Sequence, residues 1–305
     1  MSRDRIVLFG ASSAGEFFIE NNTSHEILAI ADNDTSKHGT TFLKLNVISP
    51  AEILDLDFDY VYITSQWADQ ISHQLHELGI SKEKVVLPKK IDIKADNPFQ
   101  DQKTKELGHQ LIRCINNLMT THGVELYLDS GTLLGIVRDK DLIAWDDDID
   151  FAVNENHFSQ ALDAMRGFNN VAPYRNSIDW SIEVLSMLDQ DVAIIINFKN
   201  KAGESYIPFE TSVQMRREVD GNSELVSSAG LFYVPAQFFT GYDEIPFQDI
   251  KLKGPKNHTE FLRFMYGDWQ SPKKEMKITD YQNRRINTNI DPRAVSIRKR
   301  TLESI

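Results

Sequence analysis

Residues 1–90 carry the pattern that most restricts the fold. Arg5–Phe9 (RIVLF) is a continuous apolar run, followed by Gly10-Ala11-Ser12-Ser13-Ala14-Gly15 and an amphipathic stretch. Glu26–Ala31 is a second run, ending at Asp32-Asn33-Asp34. Tyr60–Thr64 (YVYIT) is a third, leading into a helical pattern over 66–78, and Lys84–Leu87 (KVVL) is a fourth. Strands that alternate with helices predict βαβ units and a parallel sheet, with ligands favoured at the carboxyl ends of the strands. A Rossmann-like domain is therefore expected over residues 1–90.

The loop after the first run approximates G-x-G-x-x-G, with Ser12 at the central glycine. That glycine ordinarily lets the backbone approach a pyrophosphate, so a complete dinucleotide fit is not expected. Asp32 ends the second strand, where an acidic side chain binds a ribose hydroxyl. Gly10, Ser12, Gly15 and Asp32 are the candidate cofactor-binding residues. No Tyr-x-x-x-Lys pair accompanies them, which favours a binding or docking module over redox or epimerase chemistry.

A chain of 305 residues is long for one domain. Residues 91–104 are polar, aperiodic and contain Pro98, the pattern of a linker. Beyond it, Leu107, Leu111, Ile115 and Leu118 predict a helix ending near His122-Gly123. Val124–Leu128 reads as a strand, Gly131-Thr132 opens a short helix running to Arg138, and Asp148–Val153 alternates like a half-buried strand. Asp191–Phe198 and Ser205–Phe209 read as antiparallel partners joined through Asn-Lys-Ala-Gly-Glu. The second domain is expected over residues 105–292, with a basic tail over 293–305 that includes Arg293, Arg298, Lys299 and Arg300.

The net charge of −12 excludes broad nucleic-acid binding, which needs a basic footprint. A nucleotide ligand is still allowed, because a divalent cation screens a few phosphates locally. The single cysteine, Cys114, rules out an internal disulfide or a cysteine-rich zinc site and reads as helix packing. The amino-terminal residues run directly into a strand with no signal-peptide core. The longest apolar runs, such as Val192–Ile196, are far short of a membrane span, so a cytoplasmic location without a transmembrane segment is expected.

The stretch Trp145-Asp146-Asp147-Asp148-Ile149-Asp150-Phe151 carries the chemistry. On a strand, Asp148 and Asp150 share one face while Ile149 and Phe151 share the other. Two carboxylates side by side without a nearby base repel each other, and a divalent cation relieves that repulsion. Magnesium is commonly held by one or two carboxylates plus substrate phosphates. Gly131 and Thr132 stand at a helix start, where backbone N–H groups favour an anion, and Arg138 could offer a planar fork to a phosphate. Trp180, Trp269 and Phe232-Tyr233 read as core packing, the alternative being an aromatic cage.

Gly131-Thr132-Leu133-Leu134-Gly135-Ile136-Val137-Arg138, continued by Trp145-Asp146-Asp147-Asp148-Ile149-Asp150, resembles the signature of the LicD family. That family includes bacterial phosphocholine transferases and is related to fukutin and fukutin-related protein. Asp249-Ile250-Lys251-Leu252, Phe261-Leu262 and Tyr266-Gly267-Asp268-Trp269 before Pro272 resemble its closing pattern. The resemblance implies an α+β nucleotidyltransferase-like fold. The implied reaction is transfer of a phosphorylated group from a CDP-linked donor to a glycan or sugar hydroxyl, with Mg²⁺ or Mn²⁺. It also implies that Asp148 and Asp150 hold metal and that Gly131 and Thr132 contact donor phosphates. A third carboxylate, at the head of an apolar strand, corresponds to Asp191, with Asp189 and Glu183 as alternatives. The rival readings are a nucleotidyltransferase that attaches a nucleoside monophosphate to a small acceptor, and a non-catalytic nucleotide-sugar-binding protein.

Overall fold

A computed structural model of the chain describes residues 3–65, 67–93, 97–187, 189–227, 230–273, 281–285 and 298–303. These separate into two compact units, one within Met1–Asp96 and the other comprising Asn97–Arg285 with the terminal strand. The protein is mixed α/β, with one sheet in each unit.

The first unit runs β1 (Asp4–Phe9), α1 (Ser13–Asn21), β2 (His25–Ala31), β3 (Thr41–Phe42), β4 (Leu45–Ile48), β5 (Tyr60–Ile63), α2 (Ala68–Glu77), β6 (Val85–Val86) and α3 (Lys90–Ile93). Its sheet has the order β3-β4-β2-β1-β5-β6 and is parallel except for the β3–β4 pair. Apolar side chains cover both faces. Val7, Phe9, Val61 and Ile63 pack with Ile71 and Leu75 of α2, whereas Ile6, Leu8 and Ile30 pack with Phe18 of α1. That two-sided burial is why β1 reads as an unbroken apolar run.

The second unit begins with α4 (Gln102–Thr121), β7 (Tyr127–Leu128), α5 (Ser130–Arg138), β8 (Asp148–Asn154), α6 (Glu155–Arg166) and α7 (Phe168–Val171). It continues with β9 (Ile178–Met187), β10 (Gln190–Asn200), β11 (Glu210–Val219), β12 (Asn222–Ser227), β13 (Gly230–Pro235), β14 (Tyr242–Phe247) and β15 (Ile250–Pro255). The last elements are α8 (His258–Tyr266), β16 (Arg284–Arg285) and β17 (Arg298–Thr301). The main path of the sheet is β14-β15-β7-β8-β11-β10-β9-β17, with β12, β13 and β16 branching from β11. β8 and β11 are parallel, and the β9–β10 hairpin lies between them in sequence. Ile149, Phe151 and Val153 are at most 1% exposed, and burying each stabilises the unit by about 2 kcal/mol.

Two expectations change here. Ser205–Phe209 is not a strand; the partners of β10 are β9 and β11, and β11 starts at Glu210. The polar stretch 91–104 is also not uniformly a linker. Phe99 is 1% exposed and packs in the core of the second unit, and the Asp101 side chain accepts the Thr104 N–H to cap α4. Residues 94–96 of that stretch, and Arg293 of the basic tail, lie outside the described residues.

Candidate active site

The site is assembled around the entry to α5. Asp129 follows β7 and caps α5: its Oδ1 accepts the Ser130 N–H at 2.8 Å. Its Oδ2 accepts from Nε and Nη2 of Arg216 on β11 at 2.8 and 2.6 Å. Both side chains are at most 2% exposed, and the guanidinium lies 4.7 Å from the Phe239 ring centroid. Removing either partner would strand a buried charge, at a cost of about 3–5 kcal/mol.

Gly131 and Gly135 are one helical turn apart and so lie on one side of α5. A Cβ at Gly131 would fall 2.2 Å from Oδ2 of Asp146, and one at Gly135 would fall 2.7 Å from the Asp141 carbonyl oxygen. The two glycines thus form a notch that receives the loop leading into β8. Thr132 between them is 2% exposed, and its Oγ1 accepts the Asp150 N–H at 2.8 Å. The structure therefore places the Thr132 side chain in the joint between α5 and β8, where it is not open to a ligand.

Asp148 and Asp150 share a sheet face, as alternation requires. β11 runs alongside with Glu210 opposite Asp148 and Ser212 opposite Asp150, so Glu210, Ser212, Gln214 and Arg216 line the same face. Oδ1 of Asp150 accepts from Ser212 Oγ at 2.7 Å and Gln214 Nε2 at 3.1 Å. Burial pushes the Asp150 carboxyl up to about 6, the charges of Asp129 and Asp146 add to the rise, and these two hydrogen bonds oppose it.

Asp146, Asp147 and Asp148 bring carboxylate oxygens within 4.8 Å of one another, the one such metal-capable group among the described residues. An all-carboxylate set suits a hard divalent cation, and the Gly131 notch is what allows the Asp146 carboxylate into place. The residues present fit Mg²⁺ or Mn²⁺.

Asp191 is not on this face. Ala193 pairs with Leu185, whereas Asp191 pairs with Ser186, and the bulge between them turns Asp191 toward the side carrying Val184, Ile194 and Phe151. There it accepts from Ser186 Oγ at 2.5 Å and forms an ion pair with Arg300 of β17. Glu183 is on the acidic face but three interstrand spacings from Asp150, roughly 14 Å, and pairs with Lys299. Asp189 is in the β9–β10 turn and pairs with Arg298. Glu210, which the sequence reading missed, is the carboxylate opposite Asp148 at the head of β11, on the acidic face. Asp191→Asn should leave Mn²⁺ affinity unchanged and lower stability by about 1 kcal/mol in low salt, less in high salt. Mn²⁺ titration and thermal melts at two ionic strengths check this, and a lost Mn²⁺ site would restore Asp191 as a ligand.

Arg138 directs its fork at Asp139, with Nε and Nη2 each within 2.8 Å of a carboxylate oxygen, and lies 5.9 Å from the Trp145 ring centroid. Arg138→Ala should then cost about 1 kcal/mol of stability with the transfer rate per folded molecule nearly unchanged. A large rate loss at unchanged melting temperature would return this residue to the substrate. Trp180 meets Phe168 edge-on and Phe198 at a tilt and donates to the Pro173 carbonyl, which places it in the core rather than in a cage.

In the first unit, the candidate nucleotide residues are largely occupied with one another. Ser12 Oγ donates to the Thr64 carbonyl and accepts the Gly15 N–H, capping α1. A Cβ at Gly15 would lie 2.4 Å from the Gly10 carbonyl oxygen, so this glycine serves close helix–strand packing. Asp32 Oδ2 accepts from the Ala11 N–H at 2.9 Å and from Lys37 Nζ at 3.0 Å, and Lys37 also donates to the Ala11 carbonyl. The carboxylate expected to meet a ribose ties the loop after β2 to the loop after β1.

Residues 123–257 match the family described as LicD/FKTN/FKRP, nucleotidyltransferase domain, as the motifs indicated, and residues 2–86 match a C2185-like N-terminal family. An uncharacterized protein of Rickettsia prowazekii is 24% identical over 169 residues, covering 53% of this chain and 54% of that protein. One of Rickettsia typhi is 39% identical over 57 residues, 18% of each chain. The chain thus spans about half or less of the length of these relatives. A solved UDP-D-quinovosamine 4-dehydrogenase from Vibrio fischeri is 21% identical over 30% of this chain and 83% of that one, with a TM-score of 0.24, too low to support an argument. No helix among the described residues is long and apolar enough to cross a membrane.

Proposed function

We propose that the LicD-type unit is a metal-dependent transferase. It would move a phosphorylated group, such as phosphocholine or a phospho-alditol, from a CDP-linked donor onto a sugar hydroxyl of a cell-surface glycan or its precursor. The observation that carries this reading is the convergence of Asp146, Asp147, Asp148, Asp150 and Glu210 at one end of β8 and β11, within the segment matching that family. Mg²⁺ or Mn²⁺ held by Asp146, Asp147 and Asp148 would supply charge compensation for the transferred phosphate. Asp150, fixed by Ser212 and Gln214, is suited to accept the proton of the attacking hydroxyl, because a carboxyl titrating near 6 is ionised at neutral pH yet more basic than an ordinary aspartate. The unit within Met1–Asp96 acts as a binding or docking module.

The test is product analysis with CDP-choline, CDP-ribitol and CDP-glycerol, a panel of sugar acceptors and Mg²⁺. Metal-dependent release of CMP with a phosphodiester product is expected. Pyrophosphate release from nucleoside triphosphates, with the nucleoside monophosphate left on the acceptor, would replace this reading with nucleotidyl transfer.

A further inference from the structure

Arg216 is the cationic member of the row Glu210, Ser212, Gln214 and Arg216 that lines the acidic face of β11. Its bonds end on Asp129, and from there they branch. The Asp129 carboxylate takes two N–H groups of Arg216 on Oδ2 and the Ser130 N–H on Oδ1. The Asp129 backbone donates its N–H to the Asp150 carbonyl at 3.1 Å, and its own carbonyl accepts the Leu133 N–H at 3.0 Å in the first turn of α5. Asp150 is thereby gripped on both main-chain groups, since its N–H goes to Thr132 Oγ1. Its carboxylate is held by Ser212 and Gln214, on the strand that carries Arg216. A closed circuit of hydrogen bonds thus runs from β11 through Asp129 to α5, across to β8 and back to β11.

Two features show that the circuit fixes geometry more than it adds stability. Ser130, between Asp129 and Gly131, has a φ of 49°, a left-handed conformation that is costly for a residue with a Cβ and persists only where its surroundings over-determine it. Nη1 of Arg216 is buried without an acceptor among the described residues, while Nε and Nη2 hold Oδ2. A buried ion pair adds little net stability over apolar side chains of the same size, and its best-attested use is to fix register. The register at stake is that of Gly131, where a Cβ would fall 2.2 Å from the Asp146 carboxylate. Any drift of the helix start would move the seat of that carboxylate.

We infer that Arg216 is a positioning residue of the metal site. Through Asp129 it fixes the first turn of α5, and through Gly131 it keeps the Asp146 carboxylate in the cluster with Asp147 and Asp148. The inference rests on the reading of those three carboxylates as a metal site and gives the buried ion pair a role in it.

Calorimetric titration of the full chain with Mn²⁺, well below its melting temperature, tests this alongside melts of the metal-free chain. Arg216→Lys keeps the buried charge but loses the rigid fork, because an ammonium is a point charge on a flexible stem. It should melt a few degrees lower and bind Mn²⁺ about 10- to 100-fold more weakly, the range seen when the support of a metal ligand is lost. Should Arg216→Lys not fold, Asp129→Asn combined with Arg216→Met removes both charges and keeps an oxygen for the Ser130 N–H; the same loss of Mn²⁺ affinity is expected. Mn²⁺ affinity equal to that of the wild type in the folded variant, whatever its melting temperature, would make the pair structural only and overturn the inference. A wild-type chain that binds no Mn²⁺ would overturn the metal-site reading, and the inference with it.

Discussion

In metal-free, mildly alkaline buffer, Asp150→Asn is expected to melt about 4–8 °C above the wild type, and in the transfer assay to be at least about 100-fold slower. Both effects follow from one carboxyl. Its pKa in the folded chain, about 6, stands above the ordinary 3.8, so folding favours the protonated form. The stability this contributes is complete below pH 3.8 and is lost as the pH climbs through 6. Asparagine keeps the neutral form and an oxygen for Ser212 and Gln214, which recovers on the order of 2 kcal/mol. It cannot take a proton from the acceptor. The wild-type rate should accordingly fall on the acid side of about pH 6. A variant that is active, or that melts no higher than the wild type without metal, would remove Asp150 from the mechanism.

Gly131→Ala should lower Mn²⁺ affinity about 10- to 100-fold, an effect of the size seen when the support of a metal ligand is removed. The new methyl group would meet the Asp146 carboxylate at 2.2 Å, and the side chain must swing out of the three-carboxylate cluster to avoid it. Stability should change little, because alanine is the better helix former by about 1 kcal/mol and offsets part of the strain. Gly135→Ala offers the contrast. Its methyl group would press on the Asp141 backbone carbonyl, which cannot rotate away, so the expected loss is about 1–3 kcal/mol of stability. Melting temperatures and Mn²⁺ titrations on the two variants separate the roles. Equal Mn²⁺ affinity in Gly131→Ala and wild type would show that Asp146 is dispensable.

The strands of the first unit were legible because β1 and β2 end in apolar runs buried on both faces, Ile6–Phe9 and Ala29–Ala31, and β5 is built of Tyr, Val and Ile throughout. The β3–β4 hairpin was not, since Thr41–Phe42 and Leu45–Ile48 are too short to show a period. In the second unit the alternation of Asp148-Ile149-Asp150-Phe151 gave the acidic face correctly. Asp191 was expected beside Asp148 and Asp150, but an apolar strand headed by an aspartate says nothing of the bulge at Val192 that turns it to the other face. Glu210, Ser212, Gln214 and Arg216 were readable as a polar row of period two opposite Thr211, Val213 and Met215, but the strand start was sought five residues too early, at Ser205. Gly131 and Thr132 were read as anion-binding positions; the close approach of Gly131 to Asp146 and the burial of Thr132 against β8 are tertiary facts that spacing alone does not reveal.

Strand β17 closes one margin of the large sheet, and its sequence governs how that margin meets other chains. A bare strand edge offers unpaired N–H and C=O groups to any extended segment that drifts by, which is the first step of β-aggregation. Here the outermost described strand presents Arg298, Lys299 and Arg300 in succession, each paired with an acid of the β9–β10 hairpin: Asp189, Glu183 and Asp191. A second copy arriving edge to edge would have to strip water from these charged side chains, which disfavours the pairing. The ion pairs that engage Glu183, Asp189 and Asp191 thus also equip the chain with a self-avoiding border.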